Sequence, residues 1–139
     1  MHSWVLYAVL SAVFAALVAI LGKMGIASVD PALATAVRAV IMAVFLVLAV
    51  LFLGKGSLLS SVDGKAFQFI VLSGAAGALS WFFYFIALKN GPAHGVAALD
   101  RLSVVLVLIL AALFLGEGIT WKSALGALLM TLGAIFMVL

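Results

Sequence analysis

Read from its amino end, the chain is a series of long apolar runs parted by short polar breaks. No charged side chain occurs before Lys23, and none lies between Lys65 and Lys89. Runs of this length without charge are long enough to cross a bilayer as helices. They lack the polar–apolar alternation of a barrel strand. The pattern predicts five helical spans, at about 4–22, 31–53, 66–88, 95–115 and 121–139. The breaks carry their own signals. In Ala27-Ser28-Val29-Asp30-Pro31, Asp30 suits an N-cap and Pro31 the first helical position. Gly54 to Lys65 reads as the longest loop, and Lys89 to Gly95 as a short one. Leu115-Gly116-Glu117-Gly118-Ile119-Thr120 turns the chain into its last span.

Composition agrees. The 139 residues are 69% hydrophobic and 8% charged, with a mean hydropathy of +1.50. A soluble domain carries roughly 25% charge, so this chain could not cover its own surface with polar groups. It reads as an all-α integral membrane protein, multi-pass, in the cell inner membrane. The amino end has no basic segment ahead of its apolar run, so that run is expected to stay as a first helix and not to be a cleaved leader. Seven Lys and Arg against four acids are scattered along the chain. No basic cluster points to nucleic acid. Without cysteine there is no disulfide or thiolate metal site, and His94 has no second donor nearby. No nucleophile–base pair or phosphate loop appears, so neither an enzyme nor a cofactor is expected.

Small residues recur at helical spacing in the first span (Ser11, Ala15, Ala19, Gly22) and the last (Ala124, Ala127, Thr131, Ala134). Such stripes let helix backbones approach closely. The third span ends on the aromatic run Trp81 to Phe85. Trp81, Tyr84 and Leu88 share one face, whereas Phe82, Phe83 and Ile86 are expected to meet lipid or a neighbouring helix.

Apart from Lys122 at the edge of the last span, charge inside the spans is limited to Arg38, Asp100 and Arg101. Ionisable groups at membrane depth are costly and face a protein interior or a wet cavity. With five spans the second and fourth helices start on one side and the third ends there. At 1.5 Å per residue, Arg38, Trp81, Tyr84, Asp100, Arg101 and Ser103 then lie within about 7–13 Å of that side. They form the expected solute-binding layer. Arg38 is the natural partner of Asp100, because a bidentate arginine–carboxylate pair satisfies both. Two plainer readings compete. Arg38 could snorkel to the headgroups, and an ion pair could pin helix packing without any solute.

These pieces resemble one repeat of the drug/metabolite transporter superfamily, EamA type, in its short single-repeat bacterial and archaeal form. The similarity is carried by Leu33 to Arg38, Tyr84 to Leu88 before Gly91, Val96 to Ser103, and Leu115 to Thr120 with Gly126 following. It implies a solute carrier built from one five-helix domain spanning residues 1–139. It also implies an inverted pairing, since longer relatives carry two such repeats in opposite orientations. The small multidrug transporters are similar in size but place a glutamate in the first helix, where this chain has no carboxylate. Gly118 stands where a basic residue commonly follows the glutamate.

The expected function is transport of a small organic solute. Two intramembrane arginines against one aspartate favour an anionic or zwitterionic one. The expected partners are that solute, membrane lipid and a second copy of the chain. Lys55, Lys65 and Lys122 on one side face Lys23 and Lys89 on the other. This balance gives almost no orientation and suits an antiparallel or dual-topology homodimer, as do the small stripes of the last span. The alternatives are a subunit that flips a lipid-linked head group and a non-transporting scaffold.

The Asp100–Arg38 expectation has a direct test. Breaking a buried pair costs about 3–5 kcal/mol, so Asp100→Ala should damage folding as well as transport. The double variant Asp100→Asn with Arg38→Gln should recover much of the stability in thermal denaturation. Stable protein that has lost transport marks a binding role, and recovered transport marks packing alone.

Overall fold

A computed structural model of the chain describes residues 3–139, and every regular element among them is helical. The order is α1 (Ser3–Gly25), α2 (Pro31–Phe52), α3 (Gly64–Asn90), α4 (Ala93–Asp100), α5 (Ser103–Leu110) and α6 (Trp121–Phe136). A 3₁₀ turn, Gly56–Ser61, lies between α2 and α3, and a π-helical turn, Ala111–Leu115, closes α5. The amino-terminal Met1 lies outside the described residues.

Four stretches are long and apolar enough to cross a membrane: Ser3–Gly25, Pro31–Phe52, Gly64–Asn90 and Ala93–Leu115. Trp121–Phe136 is a shorter apolar helix. Its 16 residues rise about 24 Å, short of the roughly 30 Å hydrocarbon core. The expected fifth span is therefore an apolar helix that ends three residues before the chain does.

Local chemistry explains the boundaries. The Asp30 side chain accepts from the amides of Ala32 and Leu33 at 2.9 and 3.2 Å, with Pro31 first in the helix. Thr120 and Ser123 form a reciprocal capping box at the start of α6. Gly116 stops the π-helical turn in the left-handed conformation, at φ 69°. There a side chain would meet its own carbonyl, and the Glu117 amide returns to the Ala111 carbonyl at 3.2 Å. Two expected loops are shorter than the sequence suggests. Asp63 caps α3 through the Ala66 amide at 2.7 Å, which draws Lys65 into the helix. Likewise His94 sits in the first turn of α4, not in a loop.

By compactness the chain divides into two units, one of residues up to Ile20 with Asn90–Leu139 and one of Leu21–Lys89. In the first, α6 packs on α4 and α5. A Cβ on the buried Gly95 would lie 3.3 Å from Pro92 Cγ and 3.5 Å from Val138 Cγ2, so the end of α6 approaches α4 closely. The small-residue stripe is used here: Ala124, Ala127 and Thr131 are half-buried and Ala134 is 5% exposed. That stripe is partly covered within a single chain.

In the second unit the last turns of α1 and α3 are stitched together by two lysines. Lys23 of α1 donates to the Leu88 carbonyl of α3. Lys89 of α3 donates back to the carbonyls of Ile26, Ala27 and Val29, at 2.6, 2.9 and 3.3 Å. Each cation sits where the other helix exposes unpaired carbonyls and the negative end of its dipole. Beneath this clasp Ile26 and Leu88 are fully buried and Phe85 is nearly so. Phe85 packs on Gly22, where a Cβ would come within 3.3 Å of its Cζ.

Lys89→Met keeps the aliphatic stem and removes three charged hydrogen bonds. Bonds of this kind contribute about 1–3 kcal/mol, and their partial exposure puts the expected loss near the lower end. Lys55→Met, in the exposed turn after α2, should stay within about 0.5 kcal/mol. Thermal unfolding of the two variants in the same detergent compares them. Equal stability would show that the clasp contributes nothing.

Candidate solute-binding residues

The six residues expected to form a polar layer fall in both units. Arg38, Trp81 and Tyr84 lie in one; Asp100, Arg101 and Ser103 lie in the other.

In the first group α2 and α3 bring their side chains into contact. The Arg38 guanidinium carbon stands 3.5 Å above the centroid of the Trp81 ring and 5.5 Å from that of Phe85. Trp81 meets Tyr84 edge to face, with centroids 5.7 Å apart and planes at 75°, and Phe85 at 6.1 Å. The guanidinium is thus stacked on an indole face, a contact that contributes about 0.5–2 kcal/mol depending on desolvation. Arg38 is seven residues into α2 and Trp81 eight residues before Lys89, which is about 10 and 12 Å at the helical rise. Stacking uses the face of the cation and leaves its in-plane N–H fork for a planar anion.

In the second group the fourth apolar segment is not one helix. α4 ends at Asp100, Arg101 and Leu102 form a turn, and Ser103 opens α5. The amides of Arg101, Leu102, Val104 and Val105 reach back three residues, to Ala98, Leu99, Arg101 and Leu102, at 3.0–3.2 Å. This short 3₁₀ stretch interrupts the ladder around the charged pair. Asp100 is half-buried, and Arg101 and Ser103 are exposed.

The sequence rules missed Phe85 and the lysine clasp. Phe85 is four residues after Trp81 and three before Leu88, so the same face rule reaches it. Its place in a run of five aromatics hid it. Among the described residues no cluster of His, Asp or Glu could hold a metal ion.

The family model for the EamA-like transporter family matches residues 2–139. The chain belongs to the EamA-like transporter family. It is also similar to an uncharacterized transporter in the cobO 3′ region of a Sinorhizobium species, 40% identical over 136 residues, covering 98% of this chain and 96% of that one. No solved structure matches it. Membership in the EamA-like family points to a multi-pass membrane transporter rather than an enzyme, and the apolar helices agree with that.

Proposed function

We propose that the chain is a carrier for a small anionic or zwitterionic organic solute in the cell inner membrane, working as an antiparallel, dual-topology homodimer. The stack of Arg38 on Trp81 supports the solute class. Its in-plane donors suit a carboxylate or phosphate bound through two parallel hydrogen bonds, with Trp81 and Tyr84 as aromatic walls. Asp100, Arg101 and Ser103, the other polar residues expected to bind solute, belong to the other unit. Five apolar helices, one of them short, are few to enclose a path with two gates. A second copy supplies the missing wall. α2 has no buried residue and offers a surface for it.

One observation favours a second reading, a subunit that flips a lipid-linked head group. α2 carries an open, wholly apolar groove lined by Ile41, Met42, Phe45 and Leu46, a surface that suits an acyl chain. The Arg38 donors would then take the phosphate of the head group.

Thermal stability of the purified protein against metabolites of each charge class tests the proposal. Anionic or zwitterionic metabolites should raise the melting temperature and cationic ones should not. Arg38→Gln should abolish the rise. Trp81→Ala should weaken the affinity roughly 3–30-fold, the equivalent of losing a cation–π contact. Stabilisation by cationic metabolites alone contradicts the assignment, and stabilisation only by lipid phosphates selects the flippase.

A further inference from the structure

Next to the stack of Arg38 on Trp81 lies a ring that no solute can reach. Phe85 is 3% exposed, yet it neighbours both members of the stack. Its ring centroid is 5.5 Å from the Arg38 guanidinium carbon and 6.1 Å from the Trp81 centroid, with the two ring planes tilted at 57°. Cation and ring, and ring and ring, attract at these distances. The tip of the Phe85 ring meets α1. A Cβ on Gly22 would come 3.3 Å from Phe85 Cζ and 3.6 Å from Leu88 Cδ1, so any larger residue at 22 must displace the ring. The lysine clasp holds α1 to α3 at this crossing, with Lys23 on the Leu88 carbonyl and Lys89 on that of Ile26. All of these residues belong to the unit Leu21–Lys89.

We propose that Phe85 is a positioning residue for the Arg38 site, and that Gly22 sets where its ring lies. The proposal rests on the carrier reading and names what holds that carrier's anion donor in place. A free arginine side chain samples many rotamers and loses that freedom when it binds. With Trp81 against its face and Phe85 beside it, the Arg38 guanidinium gives up this freedom on folding, and binding no longer bears the cost. Trp81 is itself only half-buried, and the Phe85 ring gives it a rigid neighbour one helical turn on. A role in packing alone would ask less of position 85. An apolar side chain of similar volume would fill the space, whereas holding a cation and an indole requires the ring and its quadrupole. The glycine at 22 follows from the same requirement, because the ring must stand against the α1 backbone to reach both partners.

Fluorescence of Trp81 tests this directly. The chain has three tryptophans, and Trp4 and Trp121 are 68% and 77% exposed, so Trp4→Phe with Trp121→Phe leaves Trp81 as the one reporter. Time-resolved anisotropy reads the freedom of its ring. Sodium benzoate, a planar carboxylate, serves as the anion probe and is followed through the Trp81 emission. Phe85→Leu should add a nanosecond component to the anisotropy decay and raise the benzoate concentration at half-effect about 3–10-fold, the equivalent of a weak cation–π contact. Gly22→Ala should act in the same direction. Gly25→Ala should leave both readouts unchanged, since a Cβ there meets nothing within 4 Å and the gain in helix propensity is the same. In the Phe85→Leu background Gly22→Ala should have no further effect, because the atom it displaces is gone. If Phe85→Leu does not fold, the comparison of Gly22→Ala with Gly25→Ala decides. A Trp81 ring and a benzoate response unchanged in Phe85→Leu, additive effects of the two substitutions, or identical behaviour of the two glycine variants overturns the proposal. A wild-type emission that ignores benzoate, with the anisotropy changes intact, counts against the anionic solute and leaves the positioning role of Phe85 standing.

Discussion

A bilayer interior offers the main chain no hydrogen-bond partner, and this chain is arranged around that constraint. Within helices the ladder answers it. At helix ends other devices are needed, and each end has a different one. Asp30 and the Thr120–Ser123 pair take amides at the start of α2 and α6. Lys23 and Lys89 take carbonyls at the ends of α1 and α3, each serving the other helix or the turn beside it. The lysines carry their aliphatic stems along apolar surface and deliver charge only at the tip. The break after Asp100 is the exception. There the ladder tightens to three-residue bonds inside a long apolar segment, beside two charged side chains.

Charge within the spans is handled in two ways. Arg38 is laid on aromatic rings, which partly replace water as a polarisable neighbour without neutralising it. Asp100 is set, half-buried, at the 3₁₀ turn between α4 and α5. Ionisable groups inside a membrane are costly. A transporter has use for such groups because its cargo brings the compensating charge. The family match over residues 2–139 gives this reading its frame.

Much of the fold was legible because bilayer helices are long, uniform and bounded by strong signals. Asp30-Pro31 announced its helix start, and Gly116 its helix stop. Ala19 and Gly22, read as small residues for close approach, are respectively buried and pressed against Phe85. The break at Asp100 was not legible, because neither glycine nor proline marks it. Residues Val96 to Val107 read as good helix or apolar sequence throughout. The shortness of α6 was hidden too, since Met137 to Leu139 continue its apolar pattern. At the site, the spacing of Trp81 and Tyr84 gave their common face. The contact of Arg38 with Trp81 depends on how α2 lies on α3, which one-helix periodicity does not contain.

The central claim is that the interrupted segment meets water inside the membrane. The chain has no cysteine, so single cysteines can be placed along it and tested in liposomes with a charged thiol reagent. Cysteines at Arg101 and Ser103 should react, and those at Leu106 and Ile109, on the apolar run of α5, should not. Protection of all four positions would place the break in lipid or dry protein and contradict the account.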